Sequence, residues 1–304
     1  MEGLVLRSTG SFYDVAADDG TRIVCKVRGK IRLEGIRESN PVAVGDRVEF
    51  EKEADIGAIT KILPRTNHIL RQSVKKRGHA HVLAANVDQA FLVVTMALPR
   101  TSLGFIDRFL VSAESFRIPQ TLVFNKRDIL DADTLEFQEA VMDLYNRVGV
   151  DTIAVSAAQN DLGNLREMLQ GKTTLFAGHS GVGKSTLLNL LDPSINQKVG
   201  DLSGFSEKGT HTTTFAEMFQ LDAGTYVIDT PGIKEWAPVD MSEQELSDYF
   251  PEMRERRQDC KFGARCLHIN EPDCAIMAAV ENGDISISRY ESYVSILTGK
   301  DNRR

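Results

Sequence analysis

Gly178-His179-Ser180-Gly181-Val182-Gly183-Lys184-Ser185 satisfies G-x-x-x-x-G-K-[ST] in full, between the apolar run Thr174-Leu175-Phe176-Ala177 and a helically spaced segment from Lys184 to Leu191. The placement matters as much as the pattern. Glycines let successive backbone N–H groups turn inward around phosphate oxygens, and the helix N-terminus adds the positive end of its dipole. The phosphate-contacting stretch is expected to run from Gly178 through Thr186. Lys184 reaches the β and γ phosphates in this reading, and the Ser185 hydroxyl ligates Mg²⁺.

Upstream, from Asn86, strands and helices alternate: Ala90 to Val94, Phe105 to Phe116, Thr121 to Phe124, Leu135 to Val148, Thr152 to Val155 and Leu162 to Leu169. This is the grammar of a parallel α/β sheet. Asn125-Lys126-Arg127-Asp128 ends one of these strands and matches N-K-x-D. The Asp128 carboxylate can accept from guanine N1–H and the exocyclic amine, whereas adenine would leave a charged group unpaired. Asn125 is expected to tie this loop to the base and the phosphate loop, and the Lys126 stem to cover the base. Ser156-Ala157-Ala158 supplies a backbone N–H for guanine O6. Asp229-Thr230-Pro231-Gly232 follows the strand Tyr226-Val227-Ile228, with Asp229 holding Mg²⁺ through water and Gly232 sensing the γ-phosphate. The guanine-reading pair precedes the phosphate loop, the reverse of the usual order. Circular permutation accounts for that, because the termini of compact domains often lie close together. The chain then runs almost directly from the Asp229–Gly232 segment into its C-terminal part, a short mechanical route for motion driven by the γ-phosphate.

The polar stretch from Pro193 to Thr214 has the composition of a switch and ends His211-Thr212-Thr213-Thr214. Thr213 is the expected closing ligand over Mg²⁺ and the γ-phosphate. Ile233 stands where many GTPases place a water-orienting glutamine, and isoleucine cannot orient water. His211 is the nearest titratable substitute, its alternative role being only to pack or cap.

Residues 3 to 63 read as five short strands with turns at Asp18-Asp19-Gly20 and Val44-Gly45-Asp46, which suits a small closed barrel of the OB type. Residues 65 to 86 read as a connector carrying Arg71, Lys75, Lys76 and Arg77, either a solvated linker or an RNA contact. Near the C-terminus Cys260, Cys266, His268 and Cys274 form a Cys₃His set suited to one closed, structural Zn²⁺. Arg254, Arg256, Arg257, Lys261 and Arg265 crowd it, facing either phosphate or solvent. Cys25, alone on a strand, reads as a core residue.

The chain of 304 residues is 42% hydrophobic and 26% charged, enough for two or three cored domains. No run of about 18 apolar residues offers a membrane span. Met1-Glu2-Gly3-Leu4 lacks a secretory pattern, so a cytoplasmic protein is expected. The net charge of -7 divides unevenly, with roughly +4 on residues 1 to 77 and roughly -11 on the remainder, so a basic N-terminal module can still meet RNA.

Taken together, the barrel strands, Ala85-Asn86-Val87-Asp88, Asn125–Asp128, Gly178–Asn189, His211–Thr214, Asp229–Ile233 and the Cys/His knuckle resemble the circularly permuted small-ribosomal-subunit-dependent GTPase A family over nearly the whole chain. Thr210 departs from the family's basic residue before the histidine, and Gly263-Ala264 lengthens the first cysteine spacing. The resemblance implies three domains: an OB-fold RNA-binding domain at 1–70, a circularly permuted α/β P-loop GTPase domain at 71–238 and a helical zinc-knuckle domain at 239–304. It implies hydrolysis of GTP to GDP and phosphate, stimulated by the small ribosomal subunit during its late maturation. The barrel and zinc module would contact ribosomal RNA. A monomer is expected, with neither DNA nor membrane as partner. The alternative is a GTP-dependent ribonucleoprotein-binding switch whose hydrolysis is incidental; a P-loop kinase or ATPase is opposed by Asp128 and the Ser156 loop.

Overall fold

The computed structural model describes residues 1–28, 41–53, 56–72, 80–195, 216–230 and 241–300. Five strands, β1 (Glu2–Ser8), β2 (Tyr13–Ala17), β3 (Arg22–Val27), β4 (Arg47–Glu53) and β5 (Ile56–Ile62), occupy the N-terminal runs of alternating polarity. They are ordered β1-β2-β3-β5-β4, and β4 returns to β1 through Gly3↔Val48 and Leu4↔Arg47. That closure makes the OB-type barrel. Alternation sends Val5, Tyr13, Val15, Val48, Phe50 and Ile59 inward. Cys25 joins them, and burial pushes its thiol up to about 11, as suits a core residue.

The connector is more ordered than its composition indicated. Strands β6 (His68–Gln72) and β7 (Ala80–Ala85) pair antiparallel, so both ends of that stretch are hairpin; residues 73–79, with the basic Lys75, Lys76 and Arg77, lie outside the described residues. The boundary expected at 70/71 therefore falls inside β6. The hairpin is the joint to the barrel. Ala85 N–H donates to Val44 O at 2.9 Å and the Asn86 amide to Gly45 O at 2.9 Å. Gly45 has φ +88°, and any Cβ there would collide with the Ala85 carbonyl.

Beyond it come β8 (Gln89–Val94), α1 (Leu103–Glu114), β9 (Gln120–Phe124), α2 (Ala132–Arg147), β10 (Asp151–Ala154), α3 (Leu165–Leu169), β11 (Thr173–Gly178), α4 (Lys184–Leu191), β12 (Glu217–Asp222) and β13 (Thr225–Asp229). The sheet order is β10-β9-β8-β11-β13-β12, parallel except for β12. All six residues of β8 are buried, as a central strand covered on both faces requires. A bridge from Glu217 to Arg7 carries the sheet into the barrel, making eleven strands continuous. Ser102 and Asp131 cap α1 and α2 by accepting from the Phe105 and Thr134 N–H groups.

The C-terminal part holds α5 (Pro251–Arg254), α6 (Ala275–Glu281) and α7 (Ile287–Thr298), with the cysteine knuckle between α5 and α6. Its core of Leu246, Phe250, Met253, Ile276 and Tyr293 includes Val111 of α1. Helix α1 is thus covered on one side by the sheet and on the other by this module. Among the described residues no helix is long and apolar enough to cross a membrane.

Candidate functional site

The C-terminal ends of β8, β9, β10, β11 and β13 lie along one edge of the sheet, where α/β folds of this kind bind ligands. Four of them, β9, β10, β11 and β13, each deliver one of the motifs read from the sequence. After β11, Gly178 (φ +155°), Gly181 (φ +85°) and Gly183 (φ +93°) adopt backbone angles that let the phosphate loop curl, with His179, Ser180 and Val182 between them. Lys184, Ser185 and Thr186 open α4. A side chain at Gly183 would strike the Asn125 amide, so the loop closes around that residue.

Asn125 is the hub. Its Nδ2 donates to Val182 O at 2.8 Å, and its Oδ1 accepts from Ala157 N–H at 3.0 Å, while the side chain is 1% exposed. One amide therefore fixes the phosphate loop, the N-K-x-D turn and the Ser156 loop relative to one another. Asp128 is exposed, and the Ser156 hydroxyl donates to its Oδ1 at 2.5 Å. Sequence reasoning credited Ser156 with its backbone and missed the hydroxyl, because that contact depends on the register of β10 against β9. The Ser156 and Ala157 N–H groups are committed, to Asp161 O and to Asn125, so a guanine O6 must share the Ala157 donor or take that of Ala158.

Lys126 adopts a left-handed φ of 67°, and its Nζ donates to Leu98 O at 2.6 Å. Burial lowers its pKa, with Asp128 opposing. Pro99 packs against Gly181, and the Phe105 ring stacks on His179 with centroids 3.7 Å apart. These partners from the loop before α1 carry no motif, and nothing in the sequence singles them out.

Lys184 donates to Asp229 and to the Thr230 carbonyl. Burial raises the Asp229 pKa, and Lys184 opposes that shift. The buried ammonium and carboxylate neutralise each other. Ser185, opening α4, and Asp229, ending β13, offer hard oxygen donors, which suit Mg²⁺ better than a soft metal. His211, Thr213, Gly232 and Ile233, and with them the expected catalytic histidine and switch ligands, lie outside the described residues.

At the knuckle, ligand atoms of Cys260, Cys266, His268 and Cys274 all lie within 4.8 Å of one another. Bond lengths of about 2.3 Å for Zn–S and about 2.05 Å for Zn–N give tetrahedral edges of roughly 3.8 Å between sulfurs and roughly 3.6 Å from sulfur to nitrogen. The Cys260–Cys274 sulfurs are 3.9 Å apart, and His268 Nδ1 is 3.6 Å and 3.4 Å from them. Cys260, His268 and Cys274 thus match three edges of a zinc tetrahedron, and the Cys266 sulfur lies within 4.8 Å of all three. His268 holds φ 57°, with Tyr290 and Tyr293 hydroxyls donating to the His268 and Leu267 carbonyls at 2.7 Å and 2.8 Å. The neighbouring cations mostly face acids: Arg254–Glu114, Arg256–Asp284, Arg257–Asp248 and Lys261–Asp273 are ion pairs.

Comparison with known proteins agrees with this geometry. The RsgA GTPase family description matches residues 62–238, and the RsgA N-terminal domain description matches residues 2–59. The chain is 49% identical to the small ribosomal subunit biogenesis GTPase RsgA 2 of Bacteroides thetaiotaomicron, over 99% of this chain and 97% of that protein. The crystal structure of YjeQ from Thermotoga maritima superposes with a TM-score of 0.77 at 36% identity, over 100% of this chain and 99% of that one. YloQ, described as a circularly permuted GTPase, gives 0.72 at 34% identity, over 100% and 96%. With its guanine-reading loops ahead of its phosphate loop, the chain belongs to the RsgA GTPase family of GTP-hydrolysing enzymes.

Proposed function

We propose that this protein hydrolyses GTP to GDP and phosphate in a cycle driven by the small ribosomal subunit, and that it acts late in that subunit's maturation. The observation that carries the reading is the Asn125 side chain, which joins the phosphate loop to the Asp128 and Ala157 loops at 2.8 Å and 3.0 Å. A ligand bound there is held at both ends: a guanine edge at Asp128 and a phosphate chain at Gly178–Thr186. The names of relatives such as that from Bacteroides fragilis, 48% identical, supply the subunit.

In this cycle Lys184 leaves Asp229 for the β and γ phosphates, and Asp229 and Ser185 become available to Mg²⁺. Mg²⁺ would neutralise charge building between the β and γ phosphates. His211 is the proposed group for orienting the attacking water and Thr213 for closing the site, with Gly232 reporting the γ-phosphate. Hydrolysis by the isolated chain is expected to be slow, since Ile233 cannot position water. The Cys₃His set holds one structural Zn²⁺, and the barrel at 1–70 meets ribosomal RNA beside the GTPase domain at 71–238 and the zinc module at 239–304. The protein works as a cytoplasmic monomer.

Turnover of GTP measured with and without purified small subunits tests the proposal. Stimulation of tenfold or more, about the least that an activating partner should give, is the expected result. An unchanged rate with bound subunits, or displacement of GDP by equimolar ATP, would sink it.

A further inference from the structure

The C-terminal module packs on α1, and α1 connects it to the nucleotide site. Along its length α1 is fixed to the module by buried polar contacts. Arg289 of α7, 1% exposed, donates from Nη1 to Asp107 Oδ1 at 2.6 Å and from Nε and Nη2 to the two oxygens of Glu252 at 2.7 Å and 3.1 Å. Its guanidinium lies 4.7 Å from the Phe250 ring centroid, and the Tyr145 hydroxyl donates to the same Asp107 oxygen at 2.8 Å. Arg108 donates to Ser295 Oγ at 2.8 Å and to Lys300 O at 3.0 Å. Glu114 meets Arg254 at 2.6 Å.

At its other end α1 enters the nucleotide site. Phe105 stacks on His179. The loop before the helix is tied to itself, Thr101 N–H donating to Thr95 O at 2.8 Å and Thr95 N–H to Thr101 Oγ1 at 3.2 Å. So tied, it presents Leu98 O to Lys126 Nζ and Pro99 to Gly181. A displacement of α1 therefore moves partners of both the base-covering lysine and the phosphate loop.

We propose that Arg289 is a positioning residue for the nucleotide site, holding α1 through Asp107 so that Leu98 keeps Lys126 in its base-covering pose. A buried ionic cluster is a poor source of net stability compared with apolar packing, and the best-attested use of such a group is to fix the register of the elements it joins. Three of its members lie on different elements, α1, α5 and α7, which is where a register needs fixing.

The inference rests on the nucleotide site proposed above, and the experiment separates the two. GDP binding is measured by fluorescent-analogue titration for the wild type, Arg289→Met, Arg289→Lys, Lys126→Ala and the Arg289→Met/Lys126→Ala pair, at a temperature where circular dichroism shows each folded. Wild-type protein that does not bind GDP refutes the site itself. With binding intact, Arg289→Met is expected to weaken GDP about tenfold, in the usual range of coupling between sites. Arg289→Lys is expected to restore part of the loss. The pair is expected to show less than the product of the two single effects, because both act through one contact. Affinity within twofold of wild type in Arg289→Met, or strictly multiplicative losses in the pair, overturns the inference. The reciprocal arm needs no variant: GDP must slow amide hydrogen exchange in Ile287–Thr298 of the wild type, and unchanged exchange there also overturns it.

Discussion

Ser156 donates its hydroxyl hydrogen to an exposed carboxylate, and that small contact decides where the carboxylate points. Asp128 must present acceptors to two guanine donors at once, so its rotamer matters as much as its charge. Ser156→Ala removes the alignment while keeping Asp128, and GDP affinity is expected to fall about tenfold, about the worth of one hydrogen bond to a charged group. Asp128→Asn has a sharper signature. Its amide offers a donor where guanine also donates, but xanthine carries a carbonyl there. GTP affinity is expected to drop by about 100-fold or more, with xanthosine triphosphate gaining the preference, as competition against labelled GDP would reveal. A variant that keeps its guanine preference would show that Asp128 does not read the base. These residues were legible in the sequence because each stands at a strand end in a short pattern. Leu98 O was not, since a backbone carbonyl carries no residue identity to read.

Elements were legible where their periodicity met only one environment. The helical spacing of Phe105 to Phe116 located α1, but Asp107, Arg108 and Ser112 look like a solvent face and are instead buried against α7. Composition marks a polar stripe; it does not say that a second module covers it. Strands β6 and β7 escaped notice because five and six residues beside a basic stretch give too little alternation. On β6, the His68 ring packs tilted against Phe116, and burial, followed by the nearby Arg65, pushes its pKa down. The unfolded state therefore binds the proton more readily than the folded one. Stability from this group is present above the unfolded value of about 6.5 and declines as pH falls below it. His68→Gln is expected to flatten that decline between pH 7 and pH 5.5 in urea melts, by less than ~1 kcal/mol because the ring is only half-buried. An identical slope in variant and wild type would exclude this site as its source. The knuckle makes a separate prediction. Metal analysis is expected to find one zinc per chain, and Cys266→Ser or a strong chelator to lower the melting temperature of the α5–α7 module by about 10 °C or more. A metal-free chain with the same melting profile would show the four ligands to be a coincidence of packing.

Permutation was legible at the scale of the whole molecule because motif order survives in the sequence, whereas the docking of barrel to sheet does not. That docking rests on few residues. Arg65, leaving β5, donates to both oxygens of Asp46 at 2.7 Å and 2.8 Å and to Pro41 O at 2.8 Å; Asp46 also accepts from Ala43 N–H at 2.7 Å. The same 41–46 turn carries Val44 and Gly45 against β7. Asp46 is wholly buried, and removing its charge leaves the Arg65 guanidinium enclosed and uncompensated, which typically costs about 3 kcal/mol or more. Asp46→Asn keeps the shape and deletes that compensation. The turn it holds belongs to both bodies, so the loss is expected to uncouple them. Calorimetry of the wild type should give one transition for barrel and GTPase sheet together, since eleven strands form one hydrogen-bonded array. The variant should show a barrel transition separating at lower temperature, by roughly 12–24 °C for a loss of about 3 kcal/mol in a domain of the barrel's size. A single transition within a degree of the wild type would mean that the barrel is held by the β1–β12 bridge and apolar contact alone.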